Sequence, residues 1–571
     1  MATEDSPVTR RSLLTKGLAA GAAASIASEA VAQTAPATQP EGLGDDFAAA
    51  VRLSGREFSE TDLDLIRQSM RRTRVLVGML RNRELPPSME SAITFDPWLD
   101  VDPPAADGVS APTPTGTSDV DPNDETALAF APVRELAKLL RSGKVTSVQL
   151  TKLALKRLEK HGPDLNCVVN LTADLAMRQA EQADADLAAG NDRGPLHGIP
   201  YGAKDLLATK DTPTTFGVSV YADQIFDEDA TVIQRLEAAG AVLVAKLSLG
   251  ELAMGDVWFG GTTRNPWNPE QGSSGSSAGS CSAVAAGLVP FAIGSETLGS
   301  IVSPSVRCGT CGLRPTFGRV PRTGAMPLSR TMDKLGPIAR TADDLAYVLA
   351  AIAGTDGEDL TVRDATFTFP LPEDRPLRVG YDKVAFDNAS DGEGGKVYAE
   401  ALERCRELFG ELVEVALPAD SFAYPTAMLT VNVESGESFT ELMDSGRLGE
   451  LVQQEANSWP NIFRSASLIS AADYLRAQRV RRELMGKMAK SMKDGGGVDV
   501  MITIPLAGEQ LAVTNLTGQP TCLVRAGMAD GLPRQLEFVG TLYGEDAILT
   551  AASRFEAETP ASTEWPRERW S

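Results

Sequence analysis

Residues 271–316 read QGSSGSSAGSCSAVAAGLVPFAIGSETLGSIVSPSVRCGTCGLRPT, and the reading of the whole chain turns on them. A Gly/Ser run leads without interruption into a long run of small apolar residues, and a second Gly-Ser step follows at Gly299-Ser300. A flexible linker would not run directly into AVAAGLVPFAIG, which has to be buried. The Gly/Ser run is therefore expected to be a tight backbone structure at the mouth of a buried helix. Hydroxyls presented on such a loop become nucleophiles only beside a base. The chain has two histidines, His161 and His197, so a lysine has to be considered for that task. Lys204, in GIPYGAKD (198–205), is the candidate.

Other chemistries fit less well. Gly275-Ser276-Ser277-Ala278-Gly279 matches G-x-S-x-G, but that hydrolase pattern needs its acid and histidine after the serine. Both histidines precede it, one where a helix is expected to end and one after a Gly-Pro turn. A phosphate-cradling loop would be followed by Gly-Lys-Ser/Thr, which is absent here. Cys308-Gly-Thr-Cys311 lacks the second ligand pair that zinc needs, so it reads as two small core residues beside a glycine turn. No metal and no organic cofactor is expected.

Composition narrows the partners. A net charge of −23 over 571 residues argues against nucleic acid and against an anionic membrane surface. Hydrophobic content of 43% is ample for a large core. Six cysteines in a chain this long do not make a disulfide framework. Thr9-Arg10-Arg11-Ser12-Leu13-Leu14, the weakly apolar run 17–27 and Ala30-Val31-Ala32 have the order of a twin-arginine export signal, so residues 1–32 are expected to be a signal peptide and the protein periplasmic. That apolar run is too short to span stably, and no later segment supplies about 20 unbroken apolar residues. Residues 33–125 read as an N-terminal extension and linker. A helix capped at Ser59 carries Leu63, Ile66, Met70, Val77 and Leu80 at helical spacing, and a Pro/Ala/Gly-rich connector runs from Pro103 to Glu125.

From about Thr126 the pattern changes to helices alternating with short apolar strands. Helices are predicted over 132–140, 147–160, 174–189 and 229–239, the second ending near His161-Gly162. Strands are predicted over 241–245, 500–504 and 520–524. This alternation points to a layered α/β fold.

Over roughly residues 126–560 the chain resembles the amidase signature family. GPLHGIPYGAKD (194–205) is similar to that family's lysine motif, NPWNPEQGSSGSSAGSCSAVAAG (265–287) to its Gly/Ser motif, and GSETLGSIVSPSVRCGTCGLRPTFGRV (294–320) to its nucleophile motif. TNLTGQPTCLV (514–524) resembles its C-terminal strand region more weakly. The resemblance implies an α/β/α layered fold with a central mixed β-sheet over 126–571, extended at the N-terminus by a helical segment. It also implies an amidohydrolase that cleaves a carboxamide, or an amide-like ester, through a Ser-Ser-Lys triad and an acyl-enzyme. The family's lysine falls on Lys204 and its nucleophile on Ser300. Ser273, Ser274, Ser276 and Ser277 compete for the bridging serine; alignment from both flanks selects Ser276 and implies a cis peptide bond at Gly275-Ser276. Thr297, Leu298, Gly299 and Ser300 fall on the oxyanion segment, and Met254 is expected to line the pocket.

The chemistry suits these types. A free lysine titrates near about 10.4 and is no base at neutral pH, whereas burial disfavours its charged form. This chain departs from the family at Leu298, where a glycine is common, at Glu296, where aspartate is usual, and at Val302, where arginine is frequent; substrate range is what these changes affect. Asp205 either orients the loop after Lys204 or is a plain loop carboxylate, Lys246 is read as structural, and Glu251 and Asp333 are polar residues near the motif segments; none of the four is assigned a catalytic role. A small-molecule amide is the expected partner, and a homo-oligomer is allowed. Two other functions fit the same motifs: the A subunit of a glutamine-dependent tRNA amidotransferase, and a non-catalytic amidase-fold protein of the envelope.

Overall fold

The computed structural model describes residues 108–418, 422–493 and 497–571, with 46–53 and isolated earlier positions including Phe95 and Asp96. Two compact units result, 1–84 and 85–571. In the first, Asp46–Leu53 is helical. The export signal and most of the helix expected after Ser59 lie outside the described residues.

In the second unit, after a two-residue strand (Val109–Ser110) and a short helix (Glu125–Ala129), come helices α1 (Val133–Arg141) and α2 (Ser147–Leu165). Strand β1 (Val168–Leu171), α3 (Ala173–Ala188), β2 (Pro200–Lys204), α4 (Thr231–Ala238) and β3 (Val242–Leu247) follow. The serine-rich segment leads into α5 (Ala278–Ala285), β4 (Phe291–Glu296), α6 (Val302–Cys308) and β5 (Cys311–Arg314). After β6 (Lys334–Ala339) and α7 (Ala342–Ile352) come β7 (Val379–Tyr381), β8 (Val413–Glu414), α8 (Ala423–Ser438) and α9 (Ala471–Lys493). The chain closes with β9 (Val500–Thr503), α10 (Gln510–Thr517), β10 (Thr521–Ala529), β11 (Leu532–Gly540) and α11 (Glu545–Ala557).

The eleven strands form one mixed sheet in the order β8-β7-β9-β11-β10-β5-β6-β4-β2-β3-β1. The fold is α/β with helical layers on this sheet, as the alternation in the sequence predicts. Its middle strands are buried along their whole length, which is why VLVAKL in β3 is almost uniformly apolar rather than alternating. Phe95 joins this body: the Arg481 guanidinium lies 3.5 Å from its ring centre, and Phe317 meets it edge-on at 5.0 Å.

Most predicted elements form within a residue or two of their expected ends. There are two exceptions: the strand predicted over 520–524 runs on to Ala529, and helix α2 runs through His161-Gly162 and Pro163 to Leu165, because the left-handed turn comes only at Asn166, φ 49°. His161 is therefore a buried helical residue, edge-on to Trp570 at 5.6 Å, rather than a residue at a helix end. Cys308 and Cys311 are buried core residues, and all six cysteines are free and buried. Burial pushes the Cys281 thiol up to about 11 and those of Cys167 and Cys405 to about 12. Among the described residues no helix is long and apolar enough to cross a membrane.

Two glycines face each other in the middle of the sheet, Gly294 in β4 opposite Gly336 in β6. A Cβ on Gly336 would lie 2.0 Å from the Leu313 carbonyl oxygen, a backbone atom that cannot swing aside. Gly336→Ala should therefore cost about 1–3 kcal/mol of stability, the usual penalty of overpacking, read as a lowered urea midpoint with an unchanged slope. A midpoint equal to wild type would show that β5 and β6 are not held this closely.

Candidate active site

The parallel pairing of β2 with β4 sets Tyr201 beside Phe291 and Ala203 beside Ile293, so Lys204 ends its strand next to Gly294 and Ser295. The serine loop then reaches Lys204 from the start of α5. Ser274 is left-handed at φ 60°, and the Gly275-Ser276 peptide is cis. Small residues are needed here. A Cβ on Gly275 would lie 1.8 Å from the Gly255 carbonyl oxygen, and one on Gly294 would lie 2.8 Å from Ser277 Oγ.

Three hydroxyls surround the Lys204 amine: Ser276 Oγ at 2.8 Å, Ser295 Oγ at 2.8 Å and Ser277 Oγ at 3.1 Å. Lys204 and Ser276 are wholly buried. Among the described residues no carboxylate bonds the amine. Burial lowers its pKa to about 7, more than the distant Asp333 and Glu296 charges can restore. Ser277 Oγ donates to the Ser295 carbonyl and accepts the Ser295 N–H, so toward Lys204 it can only accept. The lone pair of a neutral Lys204 therefore faces Ser276 or Ser295. A neutral amine so placed is a base within reach of the Ser276 proton.

Ser300 is 8% exposed and its carbonyl accepts the Ser277 N–H at 3.0 Å, which ties its loop to the serine loop. Among the described residues its hydroxyl is in no hydrogen bond, including none to Ser276. Contacts of this kind are often long without substrate and tighten when it binds. The backbone N–H groups of Leu298, Gly299 and Ser300 likewise donate to no acceptor among the described residues. Gly299 is left-handed at φ 93°, whereas Leu298 is not. The Thr297 hydroxyl is held by Asp333 at 2.5 Å. Met254 is half-buried in the turn whose next residue, Gly255, abuts Gly275.

Glu296 fixes this segment from below. One carboxylate oxygen accepts the N–H groups of Ile301 and Val302 at 2.8 and 2.9 Å. The other accepts from Arg314 and Asn515, both at 2.8 Å. Burial pushes the carboxyl up, but Arg314, Lys334 and these hydrogen bonds outweigh it and hold it down at about 2. The cation beside this acid is thus Arg314, twelve positions beyond Val302.

The sequence does not single out Ser277, Ser295 or Arg314, nor the grip of Asp333 on Thr297. A lysine buried without a carboxylate needs several hydroxyls, and the surplus of serines in the motif is the one clue to them. Asp205 pairs with Lys246 at 3.0 Å in the core and holds Thr215, and Glu251 accepts two loop N–H groups, so these are structural. His197 is fully buried, its Nδ1 accepting the Arg193 N–H at 3.0 Å, in a backbone-holding role.

Known proteins share this fold. The family model Amidase matches residues 149–525. The glutamyl-tRNA(Gln) amidotransferase A subunit of Thioalkalivibrio sulfidiphilus is 32% identical over 470 residues, 75% of this chain and 97% of that protein. The protein of the same name from Geotalea daltonii is 34% identical over 490 residues, covering 76% and 98%. Among solved structures, native peptide amidase from Stenotrophomonas maltophilia aligns with TM-score 0.66 at 28% identity, covering 76% of this chain and 97% of that one. A chain from a vestigial complex related to an s-triazine catabolic enzyme gives 0.69 at 26% identity, covering 76% and 100%.

The Lys204 shift has a consequence for stability. Unfolded, the amine holds its proton up to 10.5; folded, it releases it near 7. Between those values the unfolded chain binds one more proton, so this group makes stability rise with pH across that window. In Lys204→Met this contribution should vanish. Urea unfolding at pH 7 and pH 9 should show wild type gaining on the variant at the higher pH, and parallel changes in the two would contradict an uncharged Lys204.

Proposed function

The chain belongs to the amidase signature family, enzymes acting on C–N amide bonds, and from that premise we propose that it hydrolyses a carboxamide through an acyl-enzyme on Ser300, with Ser276 and Lys204 as its proton relay. Ser300 Oγ bonds to the amide carbon while its proton passes to Ser276 Oγ and the Ser276 proton passes to the Lys204 amine. The carbonyl electrons move onto oxygen, where the free N–H groups of Leu298, Gly299 and Ser300 meet the charge. When the C–N bond breaks, the leaving nitrogen takes the proton back along the same path. Water then attacks the Ser300 ester through the same relay and releases the acid. The observation that carries this reading is the buried Lys204 amine, free of any carboxylate among the described residues and 2.8 Å from the Ser276 hydroxyl.

The curated relatives favour a narrower reading, more strongly than they favour a free-standing exported amidase. Relatives such as those of Thioalkalivibrio and Geotalea are amidotransferase A subunits, and this chain covers nearly their whole length. Under that reading the amide is that of glutamine, the ammonia goes to glutamyl-tRNA(Gln), and partner subunits complete the enzyme. Both readings use the same acyl-enzyme. They differ in compartment: the twin-arginine pattern at 9–14 proposes export, away from tRNA.

A fluorophosphonate probe should label wild type and leave Ser300→Ala and Lys204→Ala unlabelled, with amide turnover falling by roughly 10³-fold or more in each. Because Lys204 must be neutral to act, kcat/KM should climb with pH through about 7 and then level off. Labelling of all three proteins alike, or a flat profile from pH 6 to 9, would overturn the relay. Turnover of aryl amides by the isolated chain in a periplasmic fraction supports the free-standing form. Ammonia release from glutamine, together with co-purification of partner subunits from the cytosol, supports the amidotransferase form.

A further inference from the structure

The turn 298–300 is supported from two sides, and both supports meet at one buried cation. On one side Asp333 holds the Thr297 hydroxyl at 2.5 Å and folds its own loop by accepting the Leu328 and Ser329 N–H groups, both at 2.8 Å. On the other, α10 packs Leu511 so close to Gly299 that an added Cβ there would lie 3.0 Å from Leu511 Cδ2. The same helix sends Asn515 to Glu296 at 2.8 Å. The Arg481 guanidinium of α9, 1% exposed, ties the two supports together. Its terminal N–H groups go to the hydroxyl and the carbonyl of Thr331, both at 2.8 Å, and its Nε–H to the Leu516 carbonyl at 2.6 Å. Thr331 stands two positions before Asp333, and Leu516 directly after Asn515.

Among the described residues no carboxylate bonds this guanidinium. Glu434, whose charge favours it, is taken by the hydroxyls of Ser329, Thr331 and Tyr474. Burying a cation is costly, and hydrogen bonds serve only the edge of a guanidinium. Its flat face is covered by Phe95, whose ring centre is 3.5 Å away. An arginine can bond along its edge and stack on its face at once, and such stacking is strongest where water is excluded. Phe95 is half-buried and fixed in turn. Phe317 meets it edge-on at 5.0 Å, with Arg322 over the Phe317 ring at 5.1 Å, and Asp96 pairs with Arg363 at 3.3 Å. Phe95 lies before residue 149, where the family match begins, so this contact lies outside the matched segment.

We infer that Phe95 is a positioning residue for the reaction: by stacking on Arg481 it holds the Thr331 loop and α10 against the turn 298–300. The N–H groups of Leu298, Gly299 and Ser300 thereby stay aimed at the oxygen that gains charge as Ser300 attacks. This rests on the acyl-enzyme proposed above. Donors of this kind act through alignment, so loosening their support costs rate and leaves substrate affinity in place. Phe95 acts through Arg481 alone, which makes the ring face, rather than apolar bulk, the feature that matters.

Time courses of fluorophosphonate labelling of the full chain, fitted for kinact and KI, test the inference. Phe95→Leu keeps an apolar side chain but loses the ring face, and should lower kinact by about tenfold, a fraction of what one oxyanion donor is worth. KI should stay within about twofold, and the labelling end-point should equal that of wild type. Phe95→Tyr should restore kinact. Arg481→Lys, which cannot bond and stack together, should slow labelling at least as much, and adding Phe95→Leu to it should slow it no further. The two Phe95 variants decide the question by themselves if Arg481→Lys does not fold. An unchanged kinact in Phe95→Leu would overturn the inference. So would a loss confined to the end-point, which marks a structural role only, or a Phe95→Tyr as slow as Phe95→Leu. Each of these leaves the proposed reaction standing, whereas a wild type that is not labelled at Ser300 removes both.

Discussion

The desolvated amine of Lys204 is the constraint around which the rest is arranged. A lysine at the end of a buried strand, without a carboxylate, is tolerated only if its donors are satisfied by neutral oxygens. Ser276, Ser277 and Ser295 supply those oxygens from two directions, the first two from the loop before α5 and the third from β4. Bringing a loop that close to a strand demands glycines at the contact, and Gly275 and Gly294 occupy it. The sheet order matters for the same reason. Because β2 lies parallel beside β4, the strand that carries Lys204 and the strand that leads to Ser300 end together.

A second arrangement holds the segment around Ser300 still. Glu296 receives two backbone N–H groups from the residues after Ser300 and two side-chain donors from β5 and α10. Asp333 takes the Thr297 hydroxyl on the other side of the same turn. The turn is thus gripped by two carboxylates, while the N–H groups of Leu298, Gly299 and Ser300 stay unused among the described residues. Exchanging the family's usual aspartate for Glu296 adds one methylene. Arg314 reaches the acid from β5.

Much of this is legible in the sequence because it is local. Gly/Ser spacing, the lysine motif and the helix–strand alternation all depend on neighbours along the chain, so several helices and three of the strands can be anticipated from the sequence, while the Lys204–Ser276 pairing is what the resemblance to the amidase signature family implies. What cannot be read depends on distant partners. Asn515 bonds Glu296 across 219 positions, and Asp333 bonds Thr297 across 36. Ser295 looks like an ordinary strand residue until the β2–β4 register sets it beside Lys204. The end of α2 escapes for a different reason: His161-Gly162 looks like a stop, but Asn166 adopts the left-handed conformation that terminates the helix.

The six free thiols carry a practical corollary. All are sealed in the core, and those of Cys167, Cys281 and Cys405 are held as thiols by burial well above neutral pH. Reagents that seek thiolates can reach them only when the surrounding layers part. Native cysteine alkylation is therefore a built-in clock for breathing of this fold. Cys281 in α5, one turn behind the serine loop, would report the opening of the core around Lys204 itself, without any engineered label.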